Sequence, residues 1–141
     1  MPSKPDTALT GDDLERLRSV CASHDVAVAI VFGSAADPDA EPADLDLAIE
    51  FAEWRPTDDG YTTAYLQLHA DLEATLDYDV DLVDIHTLPS AFAHVVFTRG
   101  TRVFGSSDRY RTLADRLTDE KPTVEDTRER VTAAAARLQG E

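Results

Sequence analysis

Lysine is almost missing from this chain, which carries Lys4 and Lys121 and no other. Its 28 Asp and Glu outnumber 13 Lys and Arg, for a formal net charge of -15. Such a surface repels polyanions at ordinary ionic strength, so stable binding of DNA or RNA is not expected. The single cysteine, Cys21, excludes an intrachain disulfide and a thiolate metal cluster. Its place on the apolar stripe of an expected helix marks it as a packed residue rather than a nucleophile. His24, His69, His86 and His94 lack the close spacing of a helical zinc site. The longest apolar run, Val26 to Phe32, is far too short to cross a bilayer. Met1 to Gly11 is polar and holds Pro2 and Pro5, unlike a secretory leader. The expectation is a cytoplasmic protein with no membrane association.

What the chain does have is carboxylate, with arginine in place of lysine and many small residues. That composition resembles the proteins of a haloarchaeon, where concentrated salt shortens the Debye length and mutes self-repulsion. In so acidic a chain a single Asp is by default solvated surface, and only its position can mark it as functional.

The 141 residues fit one domain, and a hydrophobic share of 43% is enough for a core. Residues 1–10 are expected as a flexible N-terminal arm, and 11–141 as a single domain with a helical C-terminal part. Thr10-Gly11-Asp12-Asp13 can cap a helix running to about Ser23. Val26 to Phe32 is short, β-branched and apolar on both faces, a buried strand. Pro38 and Pro42 exclude a long helix in the turn-rich stretch from Gly33 to Ala43. Asp44 to Phe51 alternates with period 2, putting Leu45, Leu47, Ile49 and Phe51 on the core side and Asp44 and Asp46 together on the other. A second helix over 61–77 precedes a third strand, 79–85, in which Asp79, Asp81 and Val83 share one face and Val80, Leu82 and Asp84 the other. A short helix after Pro89, an edge strand at Thr101 to Phe104, and helices over 109–117 and 123–138 complete the order. The fold class is α/β (α+β), a small mixed sheet flanked by helices.

Carboxylates at i and i+2 on a strand stand about 7 Å apart at Cα and point the same way, close enough to share hard cations. Asp81, from a neighbouring strand, can complete a two-ion Mg²⁺ site with Asp44 and Asp46. In such a site one ion polarises the α-phosphate while the other acidifies an attacking hydroxyl. Gly33-Ser34 directly follows the apolar strand, where a sharp turn can offer backbone N–H groups and the Ser34 hydroxyl to phosphate oxygens. The same two residues could equally be a plain strand-ending turn.

An apolar strand, Gly-Ser, a spacer and Asp-x-Asp occur here as Val31-Phe32-Gly33-Ser34, residues 35–43, and Asp44-Leu45-Asp46-Leu47. In these features the chain resembles the minimal nucleotidyltransferases of the polymerase β superfamily. Within them it is most similar to the MntA-type antitoxins paired with HepT-type HEPN-domain RNase toxins. The resemblance extends through Val80 to Ile85 and Phe92 to Phe104. It implies transfer of AMP from ATP to a tyrosine hydroxyl of the toxin. Gly33 and Ser34 would hold the triphosphate, Asp44 and Asp46 would bind both Mg²⁺ ions, and Asp81 would bind the catalytic ion. Two alternatives stand beside it: a non-catalytic antitoxin acting by complex formation, or a nucleotidyltransferase with a small-molecule or RNA hydroxyl as acceptor. Self-association is left open. The segment after Ser34 departs from the family pattern, reading Ala35-Ala36-Asp37-Pro38, and Asp37 must point away from a bound triphosphate.

Overall fold

The computed structural model describes residues 7–40 and 44–118. They form a mixed four-stranded sheet in three layers. The elements are α1 (Gly11–Ser23), β1 (Val26–Phe32), β2 (Asp44–Phe51), α2 (Tyr61–Thr75), β3 (Asp79–Asp84), α3 (Ser90–Arg99), β4 (Thr101–Phe104) and α4 (Ser107–Thr118). The spatial order is β3-β2-β1-β4. β1 runs antiparallel to both β2 and β4, while β2 and β3 are parallel and joined through α2. This is the expected α/β architecture.

The helix starts follow from capping chemistry. Thr10 accepts the Asp13 N–H at 3.0 Å, with Asp12 and Asp13 in the first turn, where the helix dipole favours negative charge. Ser106 does the same for Arg109 at 3.0 Å, so α4 begins two residues earlier than the sequence pattern indicates. The third strand stops at Asp84, where its side chain accepts the His86 N–H and starts a single 3-10 turn over Ile85–Thr87. The expected arm is not loose at its end: Leu9 is buried and the Ala8 N–H donates to the Ala35 carbonyl. An apolar side chain and a satisfied backbone bond hold that stretch to the turn after β1. The rest of the arm, residues 1–6, and the expected helix over 123–138 lie outside the described residues.

The sheet has a core on each face. Leu17, Val20 and Cys21 from α1 and Leu68 and Leu72 from α2 pack against Leu45, Leu47, Ile49, Val80 and Leu82. Removing either leucine side chain of α2 would cost about 2–5 kcal/mol. On the other face Ala93, Val96 and Phe97 of α3 and Leu113 of α4 cover Val28, Ile30 and Ala48. Cys21 is fully buried and its thiol is pushed up to about 12 by that burial, the behaviour of a packing residue.

On the same face as the second core β2 carries Glu50, a carboxylate only 1% exposed. Arg109 grips it with two nitrogens, Nε to Oε1 at 2.8 Å and Nη2 to Oε2. His86 Nε2 stands 2.8 Å from Oε2, and Arg55 Nη2 lies at 3.4 Å. Burial alone would raise the Glu50 carboxyl. The hydrogen bonds from Arg109 and His86, with the charges of Arg109 and Arg55, outweigh it and hold the group below its ordinary value. The hub ties β2 to α4, to the turn after β3 and to the loop after β2.

Glu50→Ala is expected to cost about 2–4 kcal/mol in urea unfolding, below the figure for a wholly buried pair because the cations reach solvent. Because the folded value is depressed, the stabilisation from Glu50 is complete above pH 4.5 and fades as pH falls through the folded value. The difference between wild type and Glu50→Ala should therefore shrink in acid.

Candidate active site

The first residues of β2 and β3 rise beyond the helices on the face that carries Glu50. Their parallel register pairs Asp44 with Asp79 and Asp46 with Asp81. Side chains of paired residues emerge on the same face, so the pattern of the two strands alone sets four carboxylates side by side. Asp44, Asp79 and Asp81 are exposed and Asp46 is half-buried. The Asp46 carboxyl feels the Asp81 carboxylate on the neighbouring strand. Its pKa is raised by burial first, then by the charge of Asp81 and the shared hydrogen bond, and then by Asp44.

β1 brings the glycine turn to the same place. Phe32 is the register partner of Asp46, and the chain then turns through Gly33–Ala36 as one short 3-10 helix. Gly33 has φ +67, and a Cβ there would stand 2.2 Å from Asp46 Oδ2. The glycine is therefore required twice over, by a left-handed backbone and by the carboxylate against it. Ser34 is exposed at the start of this turn and Ala35 is buried beneath it. Asp37, which had to point away, is engaged in its own turn: Oδ1 accepts the Asp39 N–H at 2.9 Å.

The donor set suits a hard cation, being carboxylate oxygen throughout, with two like charges on paired strand positions. Asp44 is felt by Asp46 only as a charge, and residues 41–43, just before it, lie outside the described residues. Among the described residues no group of three or more His, Cys, Asp or Glu stands close enough to hold a metal ion. The structure thus brings Gly33, Asp46 and Asp81 together, with Ser34 next to Gly33 and Asp44 two residues before Asp46 on the same face.

Other candidates fall elsewhere. Asp84 is buried on the opposite face, as its phase requires, and accepts the Tyr61 hydroxyl at 2.8 Å. His24 pairs with Asp71 and His86 with Glu50, while His69 meets the Val80 carbonyl. Tyr61 and Tyr65 are engaged with β3. Glu50 was not singled out by the sequence pattern, because one more acidic residue on a strand carries no signal in a chain with 28 of them.

The family model for polymerase beta nucleotidyltransferases matches residues 15–109. The chain belongs to that nucleotidyltransferase family. The match runs from α1 to the Glu50 ligand Arg109 and contains every residue of the site. Solved structures share the fold at low identity. A toxin–antitoxin structure with AMP-PNP matches with a TM-score of 0.67 and 20% identity, over 86% of this chain and 97% of that one. A tri-AMPylated Shewanella oneidensis HEPN toxin in complex with MNT antitoxin matches at 0.64 and 20%, over 87% and 95%. The toxin–antitoxin MntA-HepT matches at 0.63 and 19%, over 87% and 96%. No curated protein sequence matches.

Two substitutions test this geometry without any ligand. Asp46→Asn removes a like charge and is expected to raise the thermal midpoint in EDTA. A raised carboxyl disfavours the folded state once ionised, so the gain is full above the folded value and vanishes as pH falls toward 3.8. Gly33→Ala should lower stability by about 1–2 kcal/mol from the left-handed backbone alone. In calorimetry that loss should be partly relieved in the double variant with Asp46→Ala, where the clashing carboxyl is gone.

Proposed function

We propose that this chain is a Mg²⁺-dependent protein adenylyltransferase that moves AMP from ATP to a tyrosine hydroxyl of a HEPN-domain RNase toxin, and so acts as its antitoxin. The observation that carries this is the packing of the Gly33 turn against Asp46, with Asp81 its register partner on the neighbouring strand, inside a nucleotidyltransferase domain. The likeness to a tri-AMPylated HEPN toxin complex and to a toxin–antitoxin structure with AMP-PNP supports the choice of acceptor and of nucleotide.

In this reading the backbone N–H groups of the turn and the Ser34 hydroxyl hold the β and γ phosphates, with glycine allowing close approach. Asp44, Asp46 and Asp81 would hold Mg²⁺, whose chemistry there is to neutralise the triphosphate and favour ionisation of the incoming hydroxyl. Asp81, on the outer strand, faces the acceptor side and receives the tyrosine proton. The tyrosine oxygen forms a bond to the α-phosphorus as the bond to the β-phosphate oxygen breaks, and pyrophosphate leaves. Asp37 is held in its own turn and leaves the phosphates unopposed. A chain of this charge works best in concentrated salt, in the cytoplasm, and does not retain nucleic acid.

The test is the intact mass of the HEPN partner after incubation with ATP and Mg²⁺ in high salt. Wild type should add one or more AMP units, and D44N/D46N none. Silencing of the RNase by co-purification, with no mass gain from wild type, would instead identify a binding antitoxin. Ser34→Ala should raise KM for ATP several-fold, about 1 kcal/mol for one lost hydrogen bond, with a smaller effect on kcat.

A further inference from the structure

β3 is the outer strand beside β2, and its free edge meets α2 instead of water. In a strand the backbone groups of alternate residues turn to opposite edges, so Val80 and Leu82 present theirs away from β2. One stripe of α2 bonds to three of them. Glu73 Oε2 accepts the Val80 N–H at 2.9 Å, and His69 Nε2 lies 2.8 Å from the Val80 carbonyl oxygen. Tyr65 donates its hydroxyl to the Leu82 carbonyl, and Tyr61 donates to Asp84 Oδ2 at 2.8 Å. These four residues recur at i, i+4, i+8 and i+12, one row along the helix. His69 also stands 3.6 Å from Glu73, which links two rungs.

Asp81 lies between the two pinned residues. We propose that Tyr65, His69 and Glu73 are positioning residues for Asp81, fixing its strand from the edge opposite β2 so that its carboxylate stays beside Asp46. The inference rests on the site described above. A helix laid over a strand edge is a common way of covering it. Here both neighbours of a single site carboxylate are held by side-chain hydrogen bonds, at three backbone atoms. The side chain itself is exposed and has little packing to orient it. Groups that orient a metal-binding carboxylate typically alter affinity or activity by about 10–100-fold when removed.

The experiment compares the full-length wild type with Tyr65→Phe, Glu73→Ala, Glu73→Gln and Asp81→Asn. Three quantities are read: Mn²⁺ affinity by electron paramagnetic resonance without nucleotide, kcat and KM for ATP in transfer to the HEPN partner, and the thermal midpoint. Tyr65→Phe and Glu73→Ala should weaken Mn²⁺ binding and lower kcat about tenfold, with KM for ATP within about twofold of wild type. Glu73→Gln keeps an acceptor for the Val80 N–H and should restore both. Unchanged Mn²⁺ affinity and kcat in Tyr65→Phe and Glu73→Ala would overturn the inference. So would a Glu73→Gln variant as impaired as Glu73→Ala, or losses that merely follow the unfolded fraction. If Asp81→Asn is inactive while Tyr65→Phe and Glu73→Ala match wild type, only the positioning role fails. If Asp81→Asn itself binds Mn²⁺ and transfers AMP like wild type, the reading of the site fails and the positioning role with it.

Discussion

The Asp46 carboxyl lies where the Cβ of any residue but glycine at position 33 would be. That single close approach joins three parts of the fold. It fixes where β1 ends, because the chain must turn at the residue that follows the register partner of Asp46. It lets the turn reach the carboxylates without a side chain between them. It also holds Asp46 against Asp81, a contact unfavourable by itself that raises the Asp46 pKa. A local cost at a site, borne by a well-packed scaffold, is the usual relation between function and stability.

The scaffold that bears it is a sheet with two unlike faces. One is largely apolar under α1 and α2, with Asp84 bonded to Tyr61 at its margin, and along it Leu45, Leu47, Ile49 and Phe51 of β2 are buried. The other face changes character along a single strand: Asp44 and Asp46 stand clear of the helices, Ala48 is covered, and Glu50 is paired with two arginines and hydrogen-bonded to a histidine. Acidic residues four apart in sequence thus do opposite things. Glu50 has Arg109 from α4, Arg55 from the loop after β2 and the His86 ring from the turn after β3 as partners, whereas Asp46 has carboxylates for neighbours.

Much of this was legible from residue order. The alternation of Asp44 to Phe51 gave both the strand and the facing of its carboxylates, and Asp84 fell on the opposite side because its phase differs from that of Asp81. The Gly-Ser followed by Asp-x-Asp carried the family as well as the residues. The ends of elements were less legible, since they depend on capping bonds such as those of Asp84 and Ser106, whose residue types are common everywhere. Contacts across the chain were not legible at all. Glu50 and Arg109 are far apart in sequence, and the spacing of Tyr65, His69 and Glu73 is visible in the chain while the strand edge it serves is not. The packing of Leu9 was hidden by the polar residues around it.

The row of bonds between α2 and β3 also bears on how the sheet is assembled. A parallel pair has no tight turn to set its alignment, and a slip of one residue would exchange the two faces of β3. Asp81 would then enter the leucine core, while Val80 or Leu82 took its place beside Asp46. Such a chain could still collapse and yet be inert. Because the helix can satisfy only the outward groups of Val80 and Leu82, the misaligned pairing loses those hydrogen bonds along with its apolar burial. The helix that links the two strands thereby acts as a gauge of their alignment, discriminating against a compact but inactive product during folding.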